Sequence, residues 1–101
     1  MSVKALLSDD NKQLTIKVDG RFDFSLHTDF RGAYKDLNLA NGEFIVDLSA
    51  TEFVDSSALG MMLLLKEFAE SGGSSVRIKT PRPEIREILM IASFDKIFKL
   101  E

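Results

Sequence analysis

The sequence predicts an α/β domain: a mixed sheet of about four to five strands with about three helices, in the order ββαβαβαβ. Three observations carry this. Short apolar runs with strand character recur along the chain, helical patterns separate most of them, and the first two are joined by turn chemistry alone. Helices between successive strands favour a mixed sheet with right-handed crossovers.

Val3–Leu7 is short and apolar, Ser8-Asp9-Asp10-Asn11-Lys12 is a turn, and Leu14, Ile16 and Val18 alternate with Thr15, Lys17 and Asp19. This reads as a hairpin with one wet face toward a sheet edge, its second strand ending at Gly20. A helix capped by Ser25 follows, with Phe30, Ala33, Tyr34 and Leu37 as a core-facing stripe closed by Asn41-Gly42. Phe44-Ile45-Val46, continued by Asp47-Leu48, is the run expected of a strand covered on both faces. Beyond Gly73, Val76 and Ile78 alternate with Arg77 and Lys79 as a further strand. Thr80-Pro81-Arg82-Pro83 is a rigid connector, and Pro83 suits the first turn of a helix striped by Ile85, Ile88, Leu89 and Ala92. Ile97-Phe98-Lys99-Leu100 reads as the last strand.

The chain is organised around Phe53–Leu65. After the polar stretch Ser49-Ala50-Thr51-Glu52, Asp55-Ser56-Ser57 supplies N-cap residue types ahead of an apolar helical run. That helix should run to about Glu70, where Ser71-Gly72-Gly73 stops it. First-turn amides of such a helix have no internal partner and carry partial positive charge, so the junction favours an anion, including a phosphate on Ser56 or Ser57. From position alone Ser56 reads first as a simple helix cap. At 100° per residue, Met61, Leu64 and Phe68 cluster on one side, while Leu59 and Leu63 project toward Lys66, Glu67 and Glu70. Two arrangements satisfy this: neighbouring loops bury the first turn, or Leu59, Met62 and Leu63 contribute to an apolar docking patch.

One hundred and one residues suit a single domain, 1–101, without repeats or linkers. A net charge of −3 gives no support to nucleic-acid binding and weakly favours a protein partner. With no cysteine there is no disulfide or thiol chemistry. No signal peptide and no bilayer-length apolar run is visible, so the expectation is a cytoplasmic protein without a membrane partner. His27, the one histidine, has no second histidine or cysteine to build a metal site. There is no phosphate-binding loop, zinc-protease pattern or nucleophile elbow, and a serine nucleophile would lack a base at the corner. The expectation is a non-enzyme with no catalytic residues, no metal and no cofactor.

Asp47-Leu48-Ser49 followed by Phe53-Val54-Asp55-Ser56-Ser57-Ala58-Leu59-Gly60 resembles the signature of STAS domains, specifically bacterial anti-sigma factor antagonists. Gly20-Arg21-Phe22-Asp23 and Gly72-Gly73 before Val76-Arg77-Ile78 agree with it, so the similarity spans nearly the whole chain. Ala58 stands where many members have Gly, and members often carry a further C-terminal helix beyond the position of Glu101. The resemblance implies a partner-switching regulator. Its unphosphorylated form binds a histidine-kinase-like serine kinase that doubles as the anti-sigma factor, freeing that protein's client. Phosphorylation of Ser56, with Ser57 as fallback, ends binding, and a serine phosphatase of the metal-dependent type resets the switch. Phe22, Asp23 and Phe24, in a loop beside the Ser56 corner, join Asp55, Ser57, Ala58, Leu59, Met62 and Leu63 as expected partner contacts. Two alternatives stay open: a constitutive STAS subunit docking on an ATPase of a lipid-transport system, and a nucleotide-binding STAS domain. Within the main reading, the client is either a sigma factor or another output protein such as a diguanylate cyclase.

Overall fold

The computed structural model describes residues 2–101. Its strands are β1 (Ser2–Leu7), β2 (Gln13–Phe22), β3 (Glu43–Asp47), β4 (Thr51–Val54), β5 (Ser75–Lys79) and β6 (Lys99–Leu100), and its α-helices are α1 (His27–Gly32), α2 (Ser56–Ser71) and α3 (Pro83–Ile91). Short 3₁₀ turns at Phe24–Leu26 and Phe94–Lys96 complete the elements. The sheet runs β1-β2-β3-β5-β6, antiparallel between β1 and β2 and parallel elsewhere, which is the mixed sheet the alternation of elements predicts.

The strand that sequence reasoning missed is β4. It pairs in parallel with the far end of β2, through Gly20↔Thr51 and Phe22↔Val54. Gly20 therefore does not end the second strand. It sits at φ +78°, a left-handed conformation open to glycine, and the register shifts between Gly20 and Arg21. This bulge lets β2 pass from its pairing with β3, which ends at Lys17↔Asp47, to its pairing with β4. Between the two ladders the buried Thr51 hydroxyl donates to the Val18 carbonyl at 2.7 Å, satisfying an acceptor that neither ladder reaches.

A single hydrophobic core joins the sheet to all three helices. Leu14, Ile16 and Val18 of β2 and Phe44 and Val46 of β3 meet Phe30, Met61, Leu65, Ile85 and Leu89. The helical crossovers step in one direction along the sheet, and the right-handed connection usual for parallel strands then places their helices on this face. The run Phe44-Ile45-Val46 is nonetheless buried on both faces, as expected of a covered strand. Ile45 points to the other face and is still buried, lying in register between Thr15 and Arg77. The Arg77 guanidinium covers this row and is held by Glu43 at 3.1 Å and Glu101 at 2.6 Å.

The first helix is shorter than expected. The 3₁₀ turn and α1 together span Phe24–Gly32, and helical turns carry Tyr34 and Leu37 onto the core. Its cap is Asp23, whose carboxylate accepts from the Ser25 amide, so Ser25 is the capped residue and not the cap. Pro83 opens α3 as predicted, while Ile88 and Ala92 of its stripe face solvent. The last strand shrinks to Lys99–Leu100, because Phe94–Lys96 forms a 3₁₀ turn and Phe98 turns into the core. Thr51→Val, equal in shape but unable to donate, should lower unfolding free energy by about 1–3 kcal/mol in urea titrations, since it leaves the Val18 carbonyl buried and unpaired.

Candidate functional site

Two parallel strands, β2 and β4, end side by side at Phe22 and Val54, and each is followed at once by an aspartate. Asp23 caps the 3₁₀ turn leading into α1, and Asp55 caps α2. The Asp55 amide donates to the Phe22 carbonyl at 3.4 Å, tying one turn to the other. Both helices thus begin at the same end of the sheet, the carboxyl end of its parallel strands, where open α/β sheets form their sites.

The two serines at the start of α2 differ. One carboxylate oxygen of Asp55 accepts from the Ala58 amide at 2.9 Å and from the Ser57 hydroxyl at 2.7 Å. Asp55 therefore acts as the helix cap and holds Ser57, not Ser56. Ser56, the first helical residue, is exposed, and its hydroxyl makes no hydrogen bond among the described residues. The amides at this helix start provide the partial positive charge that an anion attached to Ser56 would meet.

Three of the expected partner contacts lie in the core. Phe22, Ala58 and Met62 are fully buried: Phe22 packs its ring on Phe30 at 5.1 Å, and Ala58 and Met62 share the α2 face formed with Met61, Leu65 and Ala69. None presents its side chain at the surface. That face also displaces the side assigned from Met61, Leu64 and Phe68: Leu64 is 52% exposed and Leu63 39%. Leu59 is half-buried against the core. Phe24 is the most exposed aromatic at 67%, with its ring stacked on His27 at 5.2 Å. Asp23 and Asp55 are part-exposed, engaged by their caps.

Sequence reasoning did not find Arg21 and Phe53. They are register partners in β2 and β4, and the Arg21 guanidinium lies 4.0 Å from the centre of the Phe53 ring, forming a cation–π contact at the surface. The signal was hidden because β4 itself was unseen. Arg21 also approaches Asp23 at 3.5 Å. The Asp23 carboxyl is held below the usual aspartate range, first by the Ser25 hydroxyl, then by the Ser25 amide and Arg21. No three His, Cys, Asp or Glu side chains gather as a metal-binding group among the described residues, and no helix there is long and apolar enough to cross a membrane.

Residues 5–101 match the family model described as MlaB, STAS domain, and the chain belongs to the STAS family. A STAS-domain-containing protein of Pseudomonas aeruginosa (strain UCBPP-PA14) is 42% identical over 100 residues, covering 99% of both chains. Among solved structures, one described as an anti-sigma factor antagonist from Thermotoga maritima superposes with a TM-score of 0.80 at 18% identity, covering 97% of this chain and 84% of the other. The anti-sigma factor antagonist SpoIIAA matches in its unphosphorylated form with a TM-score of 0.73 at 14% identity, covering 99% and 87%. In its phosphorylated form, as the Bacillus cell fate determinant, it matches with a TM-score of 0.66 at 15% identity, covering 99% and 91%. The fold is that of the anti-sigma factor antagonists.

Asp55→Ala should cost about 1 kcal/mol of stability in denaturant titrations, whereas Asp55→Asn, itself a good cap, should retain most of it. Side-chain carboxyl titration by NMR should find Asp23 below the ordinary aspartate range, and Ser25→Ala should move it back toward that range. Because the folded carboxyl titrates below the unfolded one, its contribution is complete above the ordinary range and is lost as pH falls through the lowered value.

Proposed function

We propose that this STAS chain, read as one domain over 1–101, is a partner-switching regulator controlled by phosphorylation of Ser56. The observation that supports this best is the division of labour at the start of α2. The Ser57 hydroxyl is spent on the Asp55 cap, while the Ser56 hydroxyl is exposed and unengaged among the described residues. In this reading the unphosphorylated chain binds a histidine-kinase-like serine kinase of the anti-sigma type through the corner, with Phe24, Leu63 and the part-exposed Leu59 as apolar contacts. That binding releases the kinase's client, a sigma factor or another output protein. The phosphate acts locally. It adds about −1.5 to −2 charges beside Asp55. The free α2 amides accommodate that charge without refolding the domain. In a closed interface the same charge must be desolvated without a matched cation, at a cost of several kcal/mol, or roughly three orders of magnitude in affinity. A metal-dependent serine phosphatase would reset the corner. The chain acts as a binding module in cytoplasm and needs no cofactor.

A second reading is a constitutive STAS subunit that docks by the same corner on an ATPase of a lipid-transport system, with no phosphate cycle; membership of the STAS family is compatible with both. Binding assays with partner captured from the native host separate the two. Wild type and Ser56→Ala should hold a kinase-like protein, and Ser56→Asp should lose it by about three orders of magnitude in affinity. Equal retention of one partner by all three chains would contradict the switch and support the constitutive subunit.

A further inference from the structure

A second surface feature lies between α1 and α2, away from the serine corner. An open groove of about 220 Å³ is lined by Arg31, Tyr34, Lys35, Leu64 and Phe68. Its floor is aromatic, with the Tyr34 and Phe68 rings packed at 5.0 Å. Toward the helix starts it meets a shallow depression that shares Arg31, Tyr34 and Leu64 and adds Met61 and His27.

The two walls differ in chemistry. On α2, Leu64 stands 52% exposed in mid-helix. Arg31 and Lys35, one helical turn apart, form the other wall; the Lys35 amide donates to the Arg31 carbonyl at 3.0 Å. Both are exposed, and neither is in an ion pair among the described residues. No carboxylate lines the groove, although acids outnumber bases in the chain, 16 to 13. Burial holds the Tyr34 hydroxyl above the usual tyrosine range, against the opposing charge of Arg31. A space of this size takes one large apolar side chain, and two unpaired cations at its rim select acidic neighbours for that side chain.

We propose that this groove is a docking surface for an acidic protein segment, in which a leucine or phenylalanine flanked by carboxylates seats on Tyr34, Leu64 and Phe68 while the carboxylates pair with Arg31 and Lys35. This is the helix-in-groove mode of recognition with an electrostatic rim. It uses none of the residues at the Ser56 corner and holds whether or not that corner is a phosphate switch.

The test is an NMR titration of the isotopically labelled full chain with two synthetic amphipathic peptides. One carries leucine and phenylalanine along a single face with glutamates on both sides; the other has lysines in place of the glutamates. The acidic peptide should cause saturable shifts centred on Arg31, Tyr34, Lys35, Leu64 and Phe68, and the basic one should not. The exposed pair Arg31→Glu and Lys35→Glu should weaken the acidic peptide by about tenfold or more and admit the basic one. Ser56→Asp should leave both results unchanged. Equal binding of the two peptides, shifts centred on Ser56, or no shifts at millimolar acidic peptide would each overturn the proposal.

Discussion

The structure of the corner depends on one pairing, that of β4 with the last three residues of β2. Without it, β2 would stop at Gly20 and the chain from Arg21 to His27 would be a free loop. With it, Phe22 and Val54 end in register, their side chains enter the core, and the next residue of each strand is delivered as a helix cap. The pairing rests in turn on a glycine that accepts a left-handed conformation and on a buried threonine hydroxyl that bridges the break between ladders. Local backbone requirements therefore place Asp23 and Asp55 beside each other more directly than any contact between the two aspartates.

The same geometry separates Ser56 from Ser57. A cap carboxylate reaches forward along the helix, so it meets the second and third helical residues and passes over the first. Ser57 and Ala58 are thereby fixed, and Ser56 projects from the first position with its hydroxyl uncommitted among the described residues. An adjacent pair of identical side chains acquires different chemistry from a displacement of one residue. The aromatic surroundings follow the same end of the sheet: Phe24 just after one cap, and Phe53, held under Arg21, just before the other.

Much of this was legible in the sequence, and the misses have physical causes. The order of elements, the hairpin, the α2 boundaries and the cap types at 55–57 follow from turn chemistry and periodicity, which are local. The strand β4 was not legible because Thr51–Val54 has only four residues and a charged one among them, and what makes it a strand is its distant partner. Missing it hid the Arg21–Phe53 contact and made Gly20 look like an end. Phe22 looked like a surface contact because Arg21–His27 read as a loop, and Met62 because helical periodicity left it outside the Met61, Leu64 and Phe68 cluster, whereas the pleat of β2 and the true face of α2 turn both inward. Helical periodicity alone could not choose among six apolar residues in a row of seven; the position of the sheet decided which of them became core.

The proposal that Ser56, and not its neighbour, is the phosphorylated residue rests on the different engagement of the two hydroxyls at the start of α2. It is tested most directly by phosphosite mapping of the chain isolated from its native host, by mass spectrometry that resolves the two adjacent serines. Phosphate is expected on Ser56 and none on Ser57. Phosphate on Ser57 with Ser56 unmodified, or no phosphate on either serine under any growth condition, would contradict it.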